Sequence, residues 1–124
     1  MSAENQAVST NTEAKEVVLA FIDAINNEDF EKARTYVADD LQFVGVMGTR
    51  DGADAYLNDM QKMKFKYDIK KSVAEDNDVC LLYDIDMGGK AIFCMGWYQL
   101  VDGKIKSFKV VFDPRPLFEK DGKQ

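Results

Sequence analysis

The feature that most limits the fold of this chain is a series of four strand-like segments within positions 65–113, joined by short connections. The segments read FKYDIKKS, NDVCLLYDIDM, AIFCMGWYQL and KIKSFKVVF, and all are rich in β-branched and aromatic residues. The dipeptides Gly88-Gly89 and Asp102-Gly103 suit two-residue hairpin turns, which need a positive φ. Parallel strands need a long crossover, so connections this short favour antiparallel pairing. The sequence therefore predicts an antiparallel meander of four strands.

Helical periodicity predicts three helices before the meander. The first helix is expected after a capping box of Thr10 and Glu13, and Asp29 and Asp51 are expected to cap the second and third. The apolar side of the first helix is Ala14, Val17, Val18, Phe21, Ile22 and Ile25. The second helix is expected to turn Phe30, Ala33 and Val37 inward, and the third Ala53, Tyr56, Leu57, Met60 and Met63.

The predicted order of elements is α-α-β-α-β-β-β-β, because the segment LQFVGVMG from Leu41 reads as a strand between the second and third helices. This order predicts an α+β fold in which three helices pack on a curved antiparallel sheet. The length of 124 residues suits a single domain, expected over 13–118. Flexible tails are expected over 1–12, which is polar and lacks periodicity, and over 119–124.

Composition excludes several classes of function. Histidine is absent, so imidazole metal sites and histidine-based nucleophile systems are excluded, and no metal or cofactor is expected. The net charge of -6 argues against nucleic acid and anionic membranes as partners. Apolar runs are too short to cross a bilayer. Cys80 and Cys94 lack metal-site or redox spacing, and no signal peptide is visible, so a cytoplasmic location is expected.

The two hairpin turns predict which residues of the last three strands share a face. With Gly88-Gly89 as a turn, Asp84 is expected opposite Phe93, Leu82 opposite Met95, and Cys80 opposite Trp97. With Asp102-Gly103 as a turn, Trp97 is expected opposite Phe108. One face would then carry Leu82, Asp84, Phe93, Met95, Trp97, Phe108, Val110 and Phe112. The other would carry Leu81, Tyr83, Ile85, Ile92, Cys94, Tyr98 and Val111. Both faces are apolar, so we expect one to meet a second copy of the chain in a homodimer.

Asp84 is the candidate acid–base residue, and two interpretations of it stay open. A mid-strand aspartate can be solvated or paired with a nearby lysine. If it instead faces an apolar cavity, desolvation raises its pKa towards neutrality, as general acid–base chemistry requires. Asp86 lies nearer the turn and is expected towards the rim.

Three stretches resemble the NTF2-like superfamily, and within it the branch of SnoaL-like polyketide cyclases and ketosteroid isomerase-like proteins. They are FIDAINNEDFEKARTYVADDLQFVG, GTRDGADAYLNDM and GKIKSFKVVFDP, and the similarity covers about residues 13–114. The resemblance implies a cone-shaped α+β fold, a homodimer, and an apolar pocket between helices and sheet.

The resemblance assigns the aromatic face to the pocket and the other face to the dimer. The pocket lining is then expected to be Phe21, Tyr56, Met60, Tyr67, Leu82, Phe93, Met95, Trp97, Phe108, Val110 and Phe112. The dimer contact is expected from Tyr83, Ile85, Ile92, Cys94 and Tyr98. Other polar candidates for the pocket are Gln99 and the thiol of Cys80. Arg50 is expected either near the pocket mouth or on the surface in a pair with Asp51 or Asp54, and the surface is the favoured position.

The catalytic residues of the steroid isomerases are not carried over. The helix tyrosine that would hold the oxyanion falls on Phe21, the first-strand base on Gly45, and the late-strand acid on Trp97 or Gly96. The histidine of SnoaL-type cyclases has no counterpart. We therefore expect a protein that binds a small apolar molecule. The alternatives are a lyase or isomerase in which Asp84 moves a proton on a carbonyl compound, and an association domain with a vestigial pocket.

Overall fold

The sheet of this protein has six strands in the order β2-β1-β6-β5-β4-β3. The structure is a computed structural model that describes residues 3–46, 48–87 and 89–118. The strands are β1 Val37–Gly45, β2 Gly48–Asp51, β3 Lys66–Glu75, β4 Asp78–Met87, β5 Lys90–Val101 and β6 Lys104–Phe112. The helices are α1 Ala3–Asn26, α2 Phe30–Arg34, α3 Ala53–Met63 and a single turn, α4 Arg115–Phe118.

The predicted meander of β3 to β6 is confirmed, since each of these strands pairs antiparallel with the next. β1 extends the sheet by pairing parallel with β6, and β2 folds back antiparallel on β1. The α+β class predicted from the element order is therefore confirmed. The segment predicted as one strand, LQFVGVMG, instead forms the end of β1 and the start of β2.

The helix boundaries differ from the sequence prediction at three places. α1 already begins at Ala3, so Thr10 lies inside the helix rather than at its start, while residues 1–2 and 119–124 lie outside the described part. α2 is capped by Asp29 as predicted, through a bond of 3.2 Å from the Lys32 N–H, but it ends before Val37. The N-cap of α3 is Gly52, with no side-chain cap bond, and not Asp51.

Aromatic side chains form the centre of the core, around Phe108 of β6. Its ring stacks on Tyr98 at a centroid distance of 4.6 Å and meets Tyr56 edge-on at 5.2 Å. Phe43 lies 5.0 Å away, and Phe21 of α1 closes the cluster at 6.5 Å. The apolar stripe predicted for α1 is buried here, except Val17, which is half-buried. Helices and sheet are thus joined through one aromatic layer.

A bulge in β6 decides which face of the sheet carries this core. The predicted pairing of β4 with β5 is confirmed, including Asp84 opposite Phe93. Beside the β5–β6 turn, Leu100 pairs with Ile105. The next pair is Gln99 with Ser107, so Lys106 has no pairing partner on β5 and forms the bulge. Because one extra residue reverses all later side chains, Phe108 lies opposite Tyr98 and not opposite Trp97.

Candidate functional site

A cavity of about 380 Å³ lies between the inner face of the sheet, the β1–β2 hairpin and α3. Its apolar lining is Phe43, Val46, Met60, Met63, Phe65, Ile85, Val110 and Phe112. Its polar lining is Thr49, Arg50, Tyr56, Asp59, Tyr67, Tyr83 and Cys94. Val46, Arg50 and Met63 are also exposed to solvent, and we call this side of the cavity the mouth. The size suits a small organic molecule.

The structure places the predicted lining residues in three different environments. Around the cavity lie Tyr56, Met60, Tyr67, Val110 and Phe112. Phe21 and Phe108 are buried in the adjacent core and contact each other. On the opposite, outer face of the sheet lie Leu82, Phe93, Met95 and Trp97. The assignment of these last four to the pocket was wrong, because the β6 bulge puts Phe108, Val110 and Phe112 on the face of Tyr98 and Cys94.

Asp84 lies on the outer face, away from the cavity. Its side chain is 34% exposed, and a carboxylate oxygen lies 3.8 Å from the ammonium of Lys70. Lys70 also binds Asp68, the cross-strand partner of Asp84, at 2.9 Å. The first of the two interpretations, a mid-strand aspartate near a lysine, therefore describes Asp84. Asp86 is exposed and accepts a bond of 2.9 Å from the Gly89 N–H, so it serves the β4–β5 turn.

The residues expected at a dimer contact face the core instead. Buried beneath the helices, each with at most 3% of its surface accessible, are Tyr83, Ile85, Ile92, Cys94 and Tyr98. The outer face of β5 and β6 exposes 57% of Phe93 and 52% of Val111. Trp97 also lies on this outer face, where its indole N–H donates to Asp78 at 3.0 Å and Lys109 lies 5.4 Å above the ring. The uncovered apolar face therefore carries the β4 and β5 residues that the sequence had assigned to the pocket.

Four tyrosines gather on the inner side of the cavity. Tyr67 and Tyr83 are neighbours on β3 and β4, with ring centroids 4.9 Å apart. Tyr56 enters from α3, and Tyr98 from β5 lies directly behind. Burial raises the pKa of all four hydroxyls, and the neighbouring tyrosines raise the pKa values of Tyr56 and Tyr83 further. At neutral pH each is a protonated hydroxyl that can donate a hydrogen bond.

The charged groups of the lining are confined to one ion pair at the mouth. Arg50 on β2 donates Nε and Nη2 to the two carboxylate oxygens of Asp59 on α3, at 2.7 and 2.9 Å. Arg50 holds the pKa of Asp59 below its ordinary value. The partners expected for Arg50 were wrong, since Asp54 binds Arg34. The other lining residues that the structure describes are uncharged, and burial raises the pKa of the Cys94 thiol to about 11.

The sequence did not predict Tyr83, Ile85 and Cys94 as cavity residues, although it predicted that they share a face. If a bulge had been assumed between β5 and β6 in place of a straight register, these three residues would have been predicted to face the cavity. The remaining polar candidates lie elsewhere: Cys80 points to the outer face beside Trp97, and Gln99 accepts a bond from Ser107 at 3.2 Å. Asp113 is paired with Arg115 at 2.6 Å.

Two further properties concern the described residues as a whole. Within them, no group of three or more Cys, Asp or Glu side chains has an arrangement that could hold a metal ion. Among the described helices, none combines the length and the apolar character needed to cross a membrane.

This combination of a six-stranded curved sheet, covering helices and an apolar cavity between them defines an NTF2-like protein. The profile of the SnoaL-like domain matches residues 18–108, and the chain belongs to that family. The resemblance proposed from the sequence is therefore confirmed. No curated protein matches the chain by sequence.

Solved structures of similar proteins support the same assignment. An NTF2-like protein of unknown function from Cytophaga hutchinsonii is 51% identical, with a TM-score of 0.83 over 86% of this chain and 95% of its own. An LEH-like epoxide hydrolase from M. tuberculosis is 25% identical, with a TM-score of 0.76 over 87% of this chain and 88% of its own. A Kribbella flavida protein is 23% identical, with a TM-score of 0.78 over 86% and 92% of the two chains.

Proposed function

We propose that this protein binds a small, largely apolar molecule in the cavity between α3 and the sheet. The observation that carries the proposal is the distribution of charge. The inner lining is aromatic and aliphatic, whereas the charged lining residues, Arg50 and Asp59, neutralise each other at the mouth. An apolar ligand gains free energy by leaving water for such a site, while a charged one loses hydration there.

The alternative of acid–base catalysis by Asp84 is not supported, because that carboxylate lies on the outer face beside Lys70. Cavities lined mainly by apolar and aromatic groups with a few convergent polar groups are the usual form of a small-molecule site. The tyrosine hydroxyls are the convergent polar groups in this case.

Binding can be tested with N-phenylnaphthylamine, a neutral fluorophore whose emission rises in apolar surroundings. We expect saturable binding to the wild-type protein. Val110→Phe should weaken it, because Val110 lines the cavity and a larger side chain fills part of the space. Val111→Phe is the matched control, since the adjacent residue points to the outer face and leaves the cavity unchanged.

The comparison of these two variants decides the proposal. If Val110→Phe weakens the binding of the probe and Val111→Phe does not, the cavity is the binding site. Equal binding by both variants and the wild type would place the probe elsewhere and contradict the proposal. Circular dichroism of both variants shows whether either change has altered the fold.

We also propose that the protein forms a homodimer through the outer face of the sheet. Phe93, Met95, Trp97 and Val111 supply an apolar centre on this face, and Lys109, Asp84 and Lys70 supply charges of both signs around it. An apolar centre with a charged rim is the usual anatomy of a protein interface. Because both signs are present, two copies related by a two-fold axis can pair their rims.

The dimer can be tested by sedimentation equilibrium of wild-type protein and Met95→Glu. Met95 is 41% exposed at the centre of the outer face, so a glutamate at this position is tolerated in a monomer. In the dimer its charge would be buried without a partner, so the variant should dissociate. Val46→Glu is the control, because Val46 is equally exposed, at 41%, but lies at the mouth of the cavity and not on the outer face. A monomeric wild type, or dissociation by the control alone, would contradict the proposed interface.

The state of the cysteines supports a cytoplasmic location as part of this proposal. Cys80 and Cys94 are both free thiols, and they lie on opposite faces of the sheet. Unpaired thiols are typical of reducing compartments. Fractionation of cells that express the protein, followed by immunodetection, would test the location.

A further inference from the structure

The guanidinium of Arg50 at the mouth of the cavity has more donors than its ion pair uses. Arg50 donates the Nε–H and one N–H of Nη2 to Asp59, so Asp59 occupies one edge of the guanidinium. A guanidinium has five N–H donors. The other three, on Nη1 and Nη2, donate to no residue that the structure describes. The Arg50 side chain is 50% exposed, so this second edge is open to a group of a ligand at the mouth.

Lys62 adds a second cation on the same side of α3. It follows Asp59 by three positions, and residues at this spacing are neighbours on one face of a helix. Its charge contributes to the lowered pKa of Asp59, as expected of an ammonium near that carboxylate. Lys62 is exposed and forms no ion pair with another described residue. One carboxylate is therefore accompanied by two cations, and the mouth has a net positive charge.

The two lysines that follow Lys62 are balanced by another carboxylate. Lys66 binds Glu28 at 2.9 Å, and Lys64 adds to the lowering of the Glu28 pKa. The positive charge of the mouth is therefore local to Arg50 and Lys62. It contrasts with the chain as a whole, whose net charge is -6. The overall charge repels anions, whereas the mouth attracts them.

Apolar side chains lead from these cations into the cavity. Met63, which directly follows Lys62, and Val46 line the mouth and are 50% and 41% exposed. The lining continues with Phe65, which is half-buried, and Met60, which is buried. A ligand with an apolar chain and a charged end thus finds a matching surface for each part in adjacent positions.

We propose that the cavity binds a single-chain amphiphile with an anionic headgroup, such as a carboxylate, whose chain fills the cavity and whose headgroup meets Arg50 and Lys62 at the mouth. The inference rests on the proposed binding function and adds the chemical class of the ligand. Because Asp59 occupies the Nε edge of the guanidinium, the headgroup is assigned to the other edge. Two N–H groups on one edge suit the two oxygens of a carboxylate.

The headgroup belongs at the mouth and not in the interior. The inner lining that the structure describes has no cation, and an anion placed there would lose its hydration without a partner. At the mouth the anion stays in contact with water, so its desolvation costs little and the two cations attract it.

Three probes with the same alkyl chain test this inference by displacing N-phenylnaphthylamine below their critical micelle concentrations: decanoate, decanol and decylammonium. The transfer of the chain from water contributes equally to all three, so differences in affinity report on the headgroup. At low ionic strength we expect decanoate to bind roughly fivefold more tightly than decanol, and decylammonium to bind most weakly. Added salt should reduce the preference for decanoate, because the headgroup lies within reach of solvent ions.

The variants Lys62→Gln and Arg50→Gln test the two cations separately. Each should reduce the preference for decanoate over decanol. Arg50→Gln should reduce it more, because it also leaves the Asp59 carboxylate unpaired at the mouth. Lys32→Gln is the matched control, since it changes the net charge equally at an exposed helical residue that does not line the cavity.

The outcomes separate this inference from the proposed function. If the wild type binds N-phenylnaphthylamine but prefers decanol or decylammonium, or binds none of the three probes, the apolar cavity stands and the anionic class of the ligand is wrong. A preference for decanoate that is unchanged in Lys62→Gln and Arg50→Gln, or that falls equally in Lys32→Gln, would overturn the headgroup site. If N-phenylnaphthylamine itself does not bind, the proposed function fails, and this inference fails with it.

Discussion

Replacing Tyr98 by phenylalanine should stabilise this protein, although most substitutions of buried residues destabilise. The change removes a hydroxyl that is fully buried and has no partner among the described residues. It keeps the ring, which stacks on Phe108 with an interplanar angle of 11°. The aromatic contacts of the core therefore remain, and the hydroxyl alone is lost.

The magnitude follows from two opposing contributions. An unsatisfied buried hydroxyl costs about 1–3 kcal/mol, because in the unfolded chain it bonds to water. Its removal leaves a void of roughly 10 Å³, which at about 24 cal/mol per Å³ costs only ~0.2 kcal/mol. The free energy of unfolding should thus rise by about 1–3 kcal/mol. For a domain of this length, the melting temperature should rise by roughly 4 °C per kcal/mol.

The measurement is urea unfolding followed by circular dichroism, at one protein concentration for all variants because dimer formation would add to the stability. Tyr36→Phe is the control and should change the free energy of unfolding by less than ~0.5 kcal/mol. A Tyr98→Phe protein that is less stable than wild type would show that the hydroxyl has a bonding partner.

Three further predictions concern single features of the fold. Asp29→Ala should lower the free energy of unfolding by about 1 kcal/mol, measured by urea unfolding, because it removes the N-cap bond to α2. Gly96→Ala should lower the free energy of unfolding by about 1–3 kcal/mol in the same assay, because its Cβ would press on the Tyr98 ring. Raising the pH above about 10, where tyrosines ionise in the unfolded chain, should destabilise the protein by ~1.4 kcal/mol per pH unit for each of the four buried tyrosines. The protein is destabilised because burial raises the tyrosine pKa values in the folded state, so the unfolded chain loses its phenol protons first. The stabilisation is therefore complete below pH ~10 and is lost as the pH rises. Urea unfolding midpoints measured over a series of alkaline pH values test this prediction.

Much of the fold follows from local sequence signals. The hairpin between β4 and β5 has its predicted register, because a two-residue turn leaves little freedom in the pairing of its strands. Asp29 caps α2 as predicted, since a carboxylate at this position can accept from the exposed backbone N–H groups. The short strand β2 and the long start of α1 were missed, because neither shows a regular apolar pattern.

The position of the candidate site depended on an interaction that the local sequence does not display. The bulge at Lys106 lies within a strand of ordinary alternation, and Lys106 pairs there with Asp40 of β1, far away along the chain. Because both faces of β5 are apolar, hydrophobicity alone did not distinguish the inside from the outside. Phe93 and Trp97 were therefore assigned to the cavity, which is lined on this strand by Cys94.

The same bulge gives the sheet an ambiguity that folding must resolve. Without the extra residue, β6 would present Phe108, Val110 and Phe112 to the side of Trp97, and the chain would have a second aromatic interior of comparable apolarity. Two nearly equivalent ways of burying one strand make a frustrated energy landscape. β1 pairs with β6 on both sides of the bulge, at Ile105 and at Ser107, and this pairing holds β6 in the native register. The bulge residue Lys106 thus determines which face of β6 becomes part of the core.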